Sequence, residues 1–182
     1  MTDADFRFHE QLMLPDGTQA TLRLMRPDDK ERLIVAFAKL DRQTVYTRFF
    51  AHLKQLPEGP LNRIDRIDLV RLAAIVVVVG VGDGSDEAIV GSATYVADTA
   101  PDGVRAAELA FTIEEDYQRQ GLAGRLLAAL AGIARRHGIE RFHAEVLAAN
   151  APMLSVFRRS GLSLTQRREG GVLHIEMELG RL

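Results

Sequence analysis

The sequence predicts an α/β domain with a mixed sheet of about seven strands and helices on both faces. Two observations carry this expectation. Runs of strand length, alternating or wholly apolar, recur along the chain, and between them several stretches switch to helical spacing. A third bounds the size: 182 residues at 47% hydrophobic and 26% charged suit one domain with a substantial core. No internal repeat, low-complexity tract or Pro/Gly/Ser-rich linker divides the chain. One domain over 1–182 is therefore expected, with 1–13 an additional or flexible N-terminal segment.

The elements follow in order. Residues 18–25, TQATLRLM, alternate after the turn LPDGT and read as a strand. Pro27 suits a first helical position, and Asp28, Asp29 and Glu31 favour a helix N-terminus electrostatically. That helix carries Leu33, Ile34, Phe37 and Leu40. A second helical region is expected over 43–53 and a third over 60–67. Residues 72–79 and 89–96 form two strands joined by GVGDGSDEA, and 105–113 form another. Leu122, Leu126, Leu130 and Ile133 recur at helical spacing up to a basic end and Gly138. Residues 141–147 are a strand. Asn150 is a fair cap for the helix APMLSVFRRSG, and the last two strands form a hairpin through Gly170 and Gly171.

Composition excludes several classes. A net charge of −2 provides no bulk field for nucleic acid or an anionic membrane. With no cysteine there are no disulfides, thiolate metal sites or cysteine nucleophile, which agrees with a reducing cytoplasm, the expected location. MTDADFRFHE is acidic and mixed, unlike a signal peptide. The apolar run 72–81 is about half a bilayer span and reads as a buried strand. No partnership with membrane or nucleic acid is expected, and the chain is expected to be a monomer or homodimer.

The segment YQRQGLAGRLL places Gly121 and Gly124 where a helix begins, although each glycine costs about 1 kcal/mol relative to alanine inside a helix. A helix start leaves about four N–H groups unpaired and concentrates partial positive charge, so bare backbone there admits a phosphate. Close packing of the helix on the preceding strand, or a plain turn, accounts equally well for the spacing. The segment is neither G-x-x-x-x-G-K-[ST] nor G-x-G-x-x-G.

Gln118-Arg119-Gln120-Gly121-Leu122-Ala123 matches the Q/R-x-x-G-x-G/A motif of the GNAT superfamily of acyl-CoA-dependent N-acyltransferases. It lies where that family has it, between the fourth strand and the next helix. AANAPMLSVFRRSGL resembles the family's second signature, an Asn-led helix closed by Gly and an apolar residue. LPDGTQATLRLMRPDD through YTRFF is similar to the GNAT domains of bacterial protein-lysine acetyltransferases, so the resemblance covers roughly 14–179.

The resemblance implies a GNAT fold with a mostly antiparallel sheet, acetyl-CoA as cosubstrate and no metal. It implies that backbone N–H groups from Gln118, Arg119, Gln120, Gly121, Leu122, Ala123 and Gly124 hold the CoA pyrophosphate. The strand edge at Phe111, Thr112 and Ile113 would pair with the pantetheine amides, and Asn150 would contact the cofactor arm. From the residues alone, Asn150 is equally a simple helix cap. Phe157 stands beside the cofactor where many members carry a tyrosine that protonates the leaving thiolate. Phenylalanine cannot donate, so the general acid is unassigned; Tyr117 is expected to pack beside the loop.

Transfer to an amine needs the neutral amine. For a lysine with pKa about 10.4, deprotonation at pH 7 costs about 4–5 kcal/mol, and a carboxylate in a secluded site can take the proton directly or through water. In RAAELAFTI, alternation puts Leu109, Phe111 and Ile113 on one face and Ala106, Glu108, Ala110 and Thr112 on the other. A lone glutamate among small residues faces a cleft or open space, and an exposed or ion-paired carboxylate accounts for it too. The resemblance makes Glu108 the general base, because the lysine acetyltransferases carry their base in a similar A-E-V-A-F strand.

The expected function is direct, acetyl-CoA-dependent acetylation of an amine, foremost a protein lysine. A small-molecule amine acceptor and a non-catalytic acyl-CoA-binding module are the alternatives. Related lysine acetyltransferases often carry a regulatory or synthetase domain, for which 182 residues leave no room, so regulation is expected from elsewhere. YTRFF reads from its residues as packing a helix against the sheet, and the resemblance, in which this helical region borders the acceptor cleft, makes Tyr46 and Arg48 candidate acceptor contacts. GVGDGSD reads as a hairpin loop, since a strand and not a helix follows it. His143 with Glu145, and His174 with Glu176, lack a third convergent ligand and read as polar pairs, not metal sites.

Overall fold

The computed structural model describes residues 8–80 and 87–180. Their order is β1 (His9–Met13), β2 (Gln19–Leu24), α1 (Lys30–Lys39), α2 (Arg42–Phe49), α3 (Glu58–Arg63), β3 (Leu72–Val79), β4 (Ala88–Thr99), β5 (Arg105–Ile113), α4 (Leu122–Arg136), β6 (Arg141–Leu147), α5 (Ala151–Arg159), β7 (Ser163–Glu169) and β8 (Val172–Glu178). The strands form one sheet in the order β1-β2-β3-β4-β5-β6-β8-β7. Every neighbouring pair is antiparallel except β5 and β6, which are parallel and joined by the α4 crossover.

β3 shows why a continuous apolar run is needed in the middle of this sheet. Ala73, Ile75 and Val77 join the core formed with α4, while Ala74, Val76 and Val78 face Leu33 and Ala36 of α1 and Leu61 of α3. A strand covered on both faces cannot alternate. The α4 stripe of Leu122, Leu126, Leu130 and Ile133 is buried, at 0–1% exposure, and Leu154 and Phe157 of α5 join the same cluster.

The sheet has eight strands where the sequence suggested about seven, because residues 9–13 pair with β2 in register from His9 opposite Arg23 to Met13 opposite Gln19. Its side chains alternate in burial, with Glu10 and Leu12 half-buried and His9, Gln11 and Met13 exposed, but only Leu12 of the inner pair is apolar, so the alternation does not show as a hydrophobic pattern. The second helix is shorter than expected: it ends at Phe49, and Phe50 adopts a left-handed φ of 53°. The third begins two residues early, placing Pro60 in its first turn, where a missing N–H costs nothing. The hairpin loop expected at GVGDGSD lies largely outside the described residues.

Asp29, expected to act only as a helix-start acid, is fully buried. Its carboxylate receives a two-pronged bond from Arg23 of β2, at 2.7 and 2.8 Å, and a third from the Arg26 N–H at 2.8 Å. Arg23 is 3% exposed and also donates to Glu87 at 2.8 Å. This knot fastens the start of α1 to the sheet. Burial alone would push the Asp29 carboxyl up, but the bonds from Arg23 and Arg26 outweigh it and hold the group below the usual carboxylate range.

Candidate active site

β5 and β6 pair only where Ala106, Ala107 and Glu108 lie opposite Arg141, Phe142 and His143. Beyond Glu108, β5 stays with β4 as far as Ile113, while β6 follows β8 as far as Leu147. The strands therefore diverge, and a cleft of about 1350 Å³ opens between them. Its walls include β5 from Glu108 onward, β6 from Ala144 onward, Thr44 and Arg48 of α2, the first turns of α4 and one side of α5. Phe111, Thr112 and Ile113 line it along an edge that β6 does not pair.

The loop into α4 closes the wide end. Gln118 is extended, Arg119 takes a left-handed φ of 60°, and Gly121, the residue before the helix, has φ 82°. A non-glycine residue in the left-handed region costs on the order of 1 kcal/mol, so Arg119 is held there by its surroundings. The Gln118 amide nitrogen donates to the Ile113 carbonyl at 3.0 Å and to Thr44 Oγ1 at 3.2 Å, tying the loop to β5 and α2. Gln118, Arg119, Gly121, Leu122, Ala123 and Gly124 all line the cleft. Gln120 does not; its side chain turns back and donates to the Asp116 carbonyl at 3.0 Å.

The two glycines are not there for packing. A Cβ on Gly121 or Gly124 would meet no protein atom within 4 Å. Gly121 is needed for its positive φ. Gly124 is helical, so neither conformation nor a neighbour requires it, and its bare backbone faces the cleft at the positive end of α4. These residues fit an anionic ligand seated on the helix start.

Glu108 stands at the apex, where pairing ends. Its side chain is exposed and makes no hydrogen bond or ion pair with any described residue. Arg48 enters the same cleft from α2, half-buried, with its guanidinium 4.7 Å from the centre of the Phe49 ring. Burial pushes the Arg48 guanidinium down from its ordinary value; the Glu108 charge opposes this and the Arg63 charge adds to it.

Other expected residues fall as follows. Asn150 lines the cleft while its Oδ1 accepts the Met153 N–H at 3.2 Å, so it caps α5 from within the wall. Phe157 is 1% exposed and packs edge-on against Phe111 at 6.0 Å, forming cleft floor and core together. Tyr117 packs against the core beside the loop and also lines the cleft, and burial pushes its hydroxyl up. Tyr46 stacks on His52 at 4.9 Å and is not in the cleft wall, whereas Arg48 is. His143 bonds Asp98 at 2.9 Å, and His174 lies near Glu145 and Glu169 at 3.4 and 3.5 Å. Among the described residues no group of three ligands could hold a metal ion, and no helix is long and apolar enough to cross a membrane.

A sheet that splits between β5 and β6, with a bare helix start at the mouth of the split, is the architecture of acyl-CoA-dependent acetyltransferases. The profile of the Acetyltransferase (GNAT) family matches residues 46–162, and the chain belongs to that family. It is 30% identical over 158 residues to acetyltransferase Pat of Mycolicibacterium smegmatis, covering 87% of this chain and 45% of Pat. It thus spans less than half of that relative's length. It is 31% identical over 140 residues to acetyltransferase PA5475 of Pseudomonas aeruginosa, covering 77% of this chain and 73% of that one. The crystal structure of the GNAT domain of S. lividans PAT superposes with a TM-score of 0.79 at 30% identity, covering 98% and 99% of the two chains.

Proposed function

We propose that this protein transfers the acetyl group of acetyl-CoA directly to an amine, the ε-amino group of a protein lysine, with Glu108 as the general base. The observation that carries the reading is the cleft itself: one unpaired carboxylate at its apex and one bare helix start at its mouth. Acetyl transfer is supported by the relatives named acetyltransferase, and the lysine acceptor rests on the resemblance of the N-terminal half to the GNAT domains of bacterial protein-lysine acetyltransferases.

Acetyl-CoA supplies a thioester-activated acetyl group. The N–H groups at the start of α4 hold its pyrophosphate, and the unpaired edge at Phe111, Thr112 and Ile113 receives the pantetheine arm as a short added strand. Glu108 Oε takes the proton of the incoming ammonium. Edge N–H groups of β5 orient the thioester carbonyl and favour charge developing on its oxygen. Phe157 offers no proton, and a thiolate of modest basicity leaves without strong acid assistance (a cysteine thiol titrates near 8.5).

The test is release of free CoA thiol across lysine peptides, protein mixtures and small amines; the chain has no cysteine to add thiol background. Acceptor-dependent release with lysine peptides supports the reading. Release with small amines alone would move the acceptor class. Binding of acetyl-CoA with no release from any acceptor would leave a non-catalytic binding module.

The glycines give a separate check. Gly124→Leu should leave the melting temperature unchanged or slightly raised, since leucine is the better helix former by about 0.8 kcal/mol. The new side chain projects into the cleft, so calorimetry should show acetyl-CoA affinity falling at least roughly ten-fold, about 1.4 kcal/mol. Unchanged affinity would remove the helix start from the cofactor site.

A further inference from the structure

Resting on the transfer reading above, one half-buried charge in the cleft is left without a use, the other arginines that line it (Arg119, Arg125 and Arg159) being exposed. Arg48 sits half-buried in the wall shared with Glu108, yet it makes no hydrogen bond or ion pair with any described residue. What surrounds it compensates its charge only partly. The Phe49 ring face lies 4.7 Å away, and Arg48 occupies the last turn of α2, where the helix end is weakly negative. Glu108 attracts it from beyond ion-pair distance, and Arg63 repels it. A half-buried cation without a bonded partner is costly, and arginine cannot shed its proton to escape that cost. Arginine is also the side chain that grips a carboxylate with two parallel N–H bonds.

Glu108 and Arg48 present opposite charges to one cleft, and Glu108 must meet a cationic amine. The complement of such a pair is an acceptor bearing both signs. We propose that Arg48 binds a carboxylate carried by the acceptor close to its reacting amine, so that the cleft selects acceptors in which amine and carboxylate are neighbours. Two sources offer this chemistry: a lysine flanked by acidic residues in a polypeptide, and a free amino acid.

The experiment measures kcat/KM for acetyl transfer to blocked peptides with lysine flanked by glutamate or by glycine, and to free lysine and lysinamide. Expected is a preference of about ten- to hundred-fold for the carboxylate-bearing partner in at least one pair, the range of a charge-assisted hydrogen bond. Preference within the peptide pair alone assigns an acidic lysine site; preference for lysine over lysinamide alone assigns an amino acid. In Arg48→Gln, checked by thermal melting to be folded, the ratio should fall to about one. A wild-type ratio near one in both pairs overturns the proposal, as does a ratio that survives in R48Q. Should R48Q fail to fold, the wild-type ratios decide alone. Should no acceptor release CoA, the transfer reading fails separately. Calorimetry of the same acceptors with CoA present then tests Arg48: tighter binding of carboxylate-bearing partners supports it, and equal binding overturns it.

Discussion

Glu108→Gln should lower kcat for acetyl transfer by about 10²–10⁴-fold, the usual contribution of a positioned general base. Acetyl-CoA affinity should change little, because the residues that fit the cofactor lie along β5 beyond Glu108 and at the start of α4. Stability should not move measurably either: the side chain is exposed and bonds to nothing described, so its replacement leaves no buried group unpaired. Loss of rate with intact binding and melting temperature is the signature of a group used only in the chemical step. Thiol release, ligand calorimetry and a melting curve on one preparation give all three. Unchanged release would take Glu108 out of the mechanism.

Asp29→Asn should cost about 3–5 kcal/mol, because it leaves the buried Arg23 guanidinium without its two-pronged partner. For a chain of this length that corresponds to a melting temperature lower by roughly 6–20 °C. Replacing both Arg23 and Asp29 by apolar residues of similar volume should recover much of the loss, since isolated buried charges are worse than none. The pair also sets an acid limit. The Asp29 carboxyl is held below its ordinary value, so its contribution is complete above the unfolded value of about 3.9 and disappears as pH falls through the lower, folded one. Wild-type stability should therefore drop below about pH 4, more steeply than that of the double apolar variant. Equal acid sensitivity of the two would show that Asp29 does not set the limit.

The elements of this fold are largely legible in the residue pattern. The unbroken apolar run of β3 marks a doubly covered strand, and the leucine spacing of α4 marks its buried stripe. β1 is not legible, because HEQLM lies at an edge and its inner face pairs apolar Leu12 with Glu10 while apolar Met13 is exposed, so its strict alternation in burial has no matching hydrophobic pattern. Arg23 and Asp29 escape for a related reason: each is an ordinary surface residue by type, and only their meeting across six positions makes both buried. At the site, Glu108 is legible because a glutamate among alanines on a strand is locally odd. That Arg48 shares a cleft with it depends on how α2 lies over β5, which no local rule encodes. The left-handed Arg119 leaves no trace either, since arginine is not a residue from which that conformation is read.

The parting of β5 from β6 bears on how the molecule comes apart as well as on what it binds. Strand pairing between the β1–β5 ribbon and the β6–β8–β7 ribbon covers three residue pairs, with one more backbone bond from the Glu140 N–H to the Arg105 carbonyl. The seam therefore relies on α4 packing, on Arg141, which ties Asp102 to Glu178, and on His143, which bonds Asp98. Amides along the open edge of β5 should exchange with solvent early, ahead of those shared with β4. A ligand laid along that edge would lengthen the seam, and its saturation at 100 times Kd would add about 2.7 kcal/mol. The degree to which the two ribbons unfold as one is thus set in part from outside the chain, by the supply of the molecule that bridges them.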